Sequence, residues 1–311
     1  MTRRHGSGVD LRTTVGSVQL ANPVMTASGT AGHGAELDAY MALASLGAVV
    51  VKSLSAGPWP GNPAPRIVAV PGGMLNSVGL QGPGVEAWLE DELPALLAAG
   101  ATVVASIWGS SVDDYAEAAA MLAAAPPAVV AVEVNLSCPN VHREMFAHSP
   151  VATADVMDAT AAAGRPRWAK LSPNVTDIVE IAGAALSAGA DALTLVNTLR
   201  GMAIDPETRR RRLGVAGGGG GLSGPALHPV AVRAVAECRA AFPDAPIVGV
   251  GGVATATHAV ELVLAGACAV QVGTATFADP RAPARVLGEL ATWCAQHDVP
   301  RFADLIGAAH P

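Results

Sequence analysis

The sequence predicts an α/β fold: one (β/α)8 TIM barrel spanning 1–311, with a small N-terminal β-hairpin and long loops at the C-terminal face. Three observations predict it. Eight short apolar segments recur, each followed by Gly, Ser, Asn or Pro, and eight strands are what a closed parallel barrel needs. Helix-like stretches lie between most of them, the alternation that signals right-handed βαβ units. An open nucleotide-binding sheet would carry a G-x-G-x-x-G turn after its first strand, and the first segment here ends Ala27-Ser28-Gly29-Thr30.

In chain order, residues 1–8 are expected to be flexible, and Leu11 to Ala21 reads as a small hairpin able to plug the bottom of the barrel. The strands are expected at 23–28, 48–53, 102–108, 129–137, 167–172, 192–198, 246–252 and 269–274. Helices are expected at Ser111 to Ala125, Val175 to Ala188, Pro229 to Ala241 and Thr257 to Ala265. The irregular stretches Ala56 to Gly84, Pro139 to Ala152 and Arg200 to Ser223 all follow strands, and loops of such length in a compact domain are usually functional.

Composition narrows the function. Hydrophobic residues make up 51% and charged residues 14%, enough for a large core covered by alanine-rich helices. A net charge of -7 without a dense basic face gives no footprint for nucleic acid, and Arg209 to Arg212 reads as a solvated loop. No apolar run reaches membrane-spanning length without Gly, Pro or charge breaks, and no signal peptide follows the first residues. Cys138, Cys238, Cys268 and Cys294 form no C-x-x-C pair; this favours a cytoplasmic location and leaves no metal or iron–sulfur motif.

Asn135-Leu136-Ser137-Cys138-Pro139-Asn140 ends the apolar run Val129 to Val134, so a buried strand delivers a thiol where ligands bind in this fold. Cysteines are more often small core hydrophobes, but two Asn and a Pro beside this one argue against an oily environment. A thiol titrates near pH 8.5, within reach of proton acceptance at neutrality.

The last two strands end Gly249-Val250-Gly251-Gly252 and Gly273-Thr274, the usual phosphate site of this fold; tight turns are the simpler alternative. The tract Gly217 to Gly221 either extends that nest or is a flexible linker. Lys52 and Lys170 end strands, where each alone could snorkel to solvent but together they make a cationic site for an anion. Asn76, Asn135, Asn140 and Asn197 add donors and acceptors suited to a planar heterocycle.

At these residues the chain resembles the class 1 dihydroorotate dehydrogenases, and most specifically the 1B subgroup. The marks are Gly61-Asn62-Pro63 with Pro65-Arg66, Gly73 to Gln81, the Asn-Leu-Ser-Cys-Pro-Asn-Val run, Lys170 to Ile178, Val196 to Met202, Leu222 to Ala226, and Gly251-Gly252-Val253 followed by Val272 to Ala275. The resemblance runs from about Leu11 to Ala308. It implies a barrel holding FMN, with Cys138 as the base that takes the C5 proton of dihydroorotate while hydride leaves C6 for flavin N5. It implies substrate contacts from Lys52, Asn76, Val78, Gly79, Leu80, Asn135, Asn140, Asn197 and Thr198. For the cofactor it implies Ala27, Ser28, Lys52, Ser53, Ser106, Asn135, Lys170, Val196 and Gly224, with the phosphate on Gly251, Gly252, Gly273 and Thr274. Lys170 would support the flavin near N1 and O2.

The resemblance further implies a homodimer, or a heterotetramer with an electron-transfer subunit carrying FAD and a [2Fe-2S] cluster. Dihydropyrimidine dehydrogenases share a similar Asn-Ser-Cys-Pro pattern but act on rings without a carboxylate for Lys52 to neutralise. A non-redox barrel that binds a phosphorylated ligand is the reading from another class. Two departures stand out: Val141 to Pro150 is shorter than in 1B relatives and lacks glycine, with His142 and His148 as loop residues, and Ser106 stands where relatives often have Asn.

Overall fold

A computed structural model describes residues 8–137 and 146–310. Eight parallel strands run in spatial order first, eighth, seventh, sixth, fifth, fourth, third, second. They are Val24–Thr26, Val49–Val50, Val103–Ile107, Val129–Asn135, Arg167–Leu171, Ala192–Leu195, Ile247–Val250 and Ala269–Val272. A bridge between Met25 and Ala48 brings the first strand against the second and closes the barrel. All eight fall inside the expected segments.

Alternation of side chains sorts these strands into an outer and an inner core. Val24, Val49, Val103, Val132, Ala169 and Leu193 pack outward beneath the helices. Met25, Val50, Val104, Ala131, Trp168, Ala192 and Val248 pack inward against Val15, Val18 and Leu20. Those last three belong to the hairpin Thr13–Val15 and Val18–Leu20, whose Thr13 hydroxyl donates to the Cys268 carbonyl at 2.7 Å. The hairpin therefore plugs the lower end, as expected.

The four expected helices form at Val112–Leu122, Ile178–Ser187, His228–Ala241 and Ala256–Leu264. The ends are set by caps. Ser111 accepts from the Asp114 N–H in a reciprocal capping box, Asp177 accepts from the Val179 and Glu180 N–H groups, and Thr255 caps at the His258 N–H. Each such cap stabilises its helix by about 1 kcal/mol.

The loops differ from expectation. Ile67–Val70 and Gly73–Asn76 lie within the first irregular stretch, while Leu199–Met202 starts one residue before the third and Gly219–Ser223 ends it. Together they make a four-stranded antiparallel sheet beside the barrel mouth. Gly219–Ser223 is thus a strand, neither linker nor anion nest, and only Ser223 and Gly224 from its end reach the cavity. Its glycines are there for close approach: a Cβ on Gly220 would stand 2.5 Å from the Asn76 carbonyl oxygen. Arg210–Arg211 pairs with Ile204–Asp205 in an exposed hairpin rather than a plain loop. His148 closes a short 3-10 turn, Phe146–His148, and a helix already begins at Pro150. His142 and residues 1–7 lie outside the described residues.

Candidate active site

Strand ends and the antiparallel sheet enclose a cavity of about 360 Å³ at the carboxyl end of the barrel. That is the size range of small-ligand pockets. The first strand delivers Ala27 and Ser28, the second Lys52 and Ser53, the fourth Asn135, the fifth Lys170 and the sixth Val196, Asn197 and Thr198. Gly251, Gly252, Gly273 and Thr274 come from the seventh and eighth, while Asn76, Val78, Gly79, Leu80 and Gly224 come from the sheet side. All of these were expected from the sequence.

One expected residue among those described is not on this wall. Ser106 is fully buried behind it, its hydroxyl 2.9 Å from Ser53 Oγ, because it faces inward one layer below the mouth. Cys138 and Asn140 lie outside the described residues, and Ser137, the residue before them, lines the cavity.

The polar wall is one connected network. Asn135 Nδ2 donates to Ser53 Oγ at 3.2 Å, and Asn135 Oδ1 accepts from Asn197 Nδ2 at 3.1 Å. Asn197 Oδ1 in turn accepts the Thr198 N–H at 2.7 Å. The Tyr115 hydroxyl fixes the backbone beneath by donating to the Asn135 carbonyl at 2.6 Å. Carboxamides pinned at both ends present fixed donor and acceptor edges to a ligand.

Lys52 stands half-buried at the other side, where burial and then the nearby Arg66 guanidinium pull its ammonium down to about 8. His33 next to it is held near 4, by burial first and by Lys52 second, so its ring is neutral at pH 7. The site therefore carries a lysine whose charge is responsive near physiological pH.

The floor contains two residues that sequence reasoning passed over. Glu133 and Gln271 are fully buried, each the single long polar side chain in its apolar strand. Lys170 Nζ lies 3.2 Å from Glu133 Oε1 and 3.3 Å from Gln271 Oε1, and it donates to Ser28 Oγ at 3.0 Å. Gln271 Nε2 donates to Glu133 Oε2 at 2.6 Å. A lone charge inside a β-branched run was the available signal, since burial of such a group demands a partner. Among the described residues, no group of three or more His, Cys, Asp or Glu side chains is arranged to hold a metal ion. The other cysteines, Cys238, Cys268 and Cys294, are buried away from the cavity.

The sequence profile of the dihydroorotate dehydrogenase family matches residues 10–293. The chain belongs to the dihydroorotate dehydrogenase family. One relative, the catalytic subunit of dihydroorotate dehydrogenase B (NAD(+)) of Trichlorobacter lovleyi, is 48% identical over 297 residues, covering 94% of this chain and 96% of its own length. The proteins of the same name from Pelobacter propionicus and Geobacter sulfurreducens are each 46% identical over 302 residues, 96% of this chain and 98% of theirs. In this dihydroorotate dehydrogenase family member no helix among the described residues is long and apolar enough to cross a membrane.

Proposed function

We propose that this chain oxidises dihydroorotate to orotate with bound FMN, as the catalytic subunit of an NAD-linked pair. The observation that carries the reading is the pairing, in one cavity, of a cationic and carboxamide wall with a glycine-lined wall. Lys52 suits the substrate carboxylate, and Asn76, Asn135 and Asn197 suit the alternating C=O and N–H groups of a pyrimidine ring. A uracil-like ring would leave Lys52 without its anion, which favours orotate over the dihydropyrimidine reading.

The glycine wall fits the phosphate of FMN. The N–H groups of Gly252, Gly273 and Thr274 donate to no acceptor among the described residues, so they are free for an anion. Gly251 and Gly252 have φ of +141° and +68°, and a Cβ on Gly252 would stand 2.7 Å from His228 Cβ. Ser28, Ser53, Val196 and Gly224 would hold the rest of the cofactor, with the Lys170 ammonium beneath Ser28 acting on it by charge. When bound, FMN supplies the two-electron acceptor for the substrate's C6 hydrogen.

The chain's own residues do the remainder. Cys138 takes the C5 proton; Asn135 and Asn197, locked to one another, orient the ring, and Leu80 and Val78 exclude water. The curated relatives are named as catalytic subunits, and this supports a partner that carries electrons onward to NAD. We assign FAD and a [2Fe-2S] cluster to that partner, in a cytoplasmic assembly of two copies of each chain. The test is the purified chain alone. It should carry noncovalent FMN that dihydroorotate bleaches anaerobically, and it should reduce dyes but not NAD. A colourless chain, an adenine-containing flavin or steady NAD reduction by the isolated chain would overturn the corresponding part.

A further inference from the structure

Lys170, Glu133 and Gln271 close a ring of interactions under the cavity, from the fifth, fourth and eighth strands. Each side chain contacts both others. Lys170 and Glu133 are almost wholly withdrawn from solvent, with 4% and 0% of their side chains exposed. An ammonium has three protons, and Glu133, Gln271 and Ser28 supply three acceptors. Lys170 therefore has no proton left for a ligand. Ser28 Oγ accepts from Lys170, lines the cavity, and has no acceptor of its own among the described residues, so its hydroxyl proton is free to point toward a bound molecule.

We propose that Glu133 is a positioning residue that neutralises Lys170, and that the balance of these two charges sets the reduction potential of the cofactor above them. The inference rests on FMN being that cofactor. Buried charges act on a neighbour through low dielectric, so a compensated pair presents little net field while either partner alone presents a full charge. Reduction adds electrons to the isoalloxazine, and a nearby charge tunes that step. An uncompensated Lys170 favours the reduced flavin; an uncompensated Glu133 opposes it. Gln271 keeps the pair in register, because its amide bonds both partners at once.

The experiment is the midpoint potential of the FMN-loaded protein, read by equilibration with reference dyes. Glu133→Gln should shift the reduced-to-oxidised ratio upward at least tenfold, equal to about 30 mV for a two-electron couple. Lys170→Met should shift it at least tenfold downward, and the double variant should return to within threefold of the parent. Where a single variant fails to fold or to retain flavin, Gln271→Glu decides, because it adds a negative charge to the same ring and should lower the ratio. Shifts of one sign in both single variants, or bound flavin with unchanged potential, would overturn the role of Glu133 alone. A parent protein that binds no flavin would instead overturn the cofactor reading, and this inference with it.

Discussion

Lys52 and Arg66 converge on Gln81: Lys52 Nζ donates to its backbone carbonyl and the Arg66 guanidinium to its side-chain carbonyl. Two cations thus share one residue at the mouth, and this helps to hold Lys52 near 8. Its ordinary value is 10.5, so between about 8 and 10.5 the unfolded chain keeps a proton the folded chain has released. The burial cost of Lys52 is consequently relieved as pH rises across that window. Carboxylate binding moves the other way. Orotate affinity should fall above pH 8, by up to roughly tenfold per pH unit, as the ammonium is lost. Titration of bound-flavin absorbance with orotate from pH 6.5 to 9.5 checks this, and Lys52→Gln should bind weakly with no such pH dependence.

His33 has the opposite consequence at low pH. Its folded value near 4 lies below the ordinary 6.5, so the unfolded chain takes up a proton first as pH falls. The stability this residue contributes is complete above 6.5 and is lost progressively toward 4. Thermal melts between pH 4 and 7 should therefore show a shallower acid decline for His33→Asn than for the parent. An unchanged acid limb would count against it.

Glycines in this chain separate by role. Gly252→Ala places a Cβ against His228 in a left-handed backbone conformation, and should lower stability by about 2 kcal/mol and weaken FMN retention. Gly288 sits exposed within the helix Ala282–Gln296 with nothing within 4 Å of an added Cβ. Gly288→Ala should stabilise the protein by about 0.5 to 1 kcal/mol and leave flavin content unchanged. Denaturant midpoints and the flavin-to-protein absorbance ratio read both.

Cys138→Ala should retain flavin yet slow its reduction by dihydroorotate by about 100- to 10,000-fold, the usual worth of a positioned proton acceptor. Cys138→Ser should regain part of the rate at high pH. Stopped-flow bleaching of the flavin measures each, and parent-like rates in Cys138→Ala would remove the thiol from the mechanism.

The barrel was legible because its strands are short β-branched runs with polar ends, and their order follows from chirality. The mouth sheet was not, because Gly73 and Gly219 to Gly221 have no strand propensity of their own. They pair because adjacent backbones come so near that a Cβ on Gly73 would stand 2.0 Å from the Ser223 carbonyl oxygen. Glu133 and Gln271 were visible as isolated polar letters, but which partner each would meet depends on the barrel's register. Lys52, Asn135 and Asn197 needed only their positions at the ends of expected strands, whereas Asn76 stood in a stretch expected to be irregular.

The antiparallel sheet beside the mouth ties the segment after the second barrel strand to the segment after the sixth, with Asn76 Nδ2 donating to the Gly221 carbonyl 145 positions away. Neither segment can be lengthened, shortened or exchanged by itself, because a slip of one residue in the first would turn Asn76 out of the cavity and one in the second would turn Ser223 out. Substrate preference in this scaffold is accordingly a property inherited by two distant stretches together, and grafting one from a relative without the other should yield a misregistered wall rather than a new specificity.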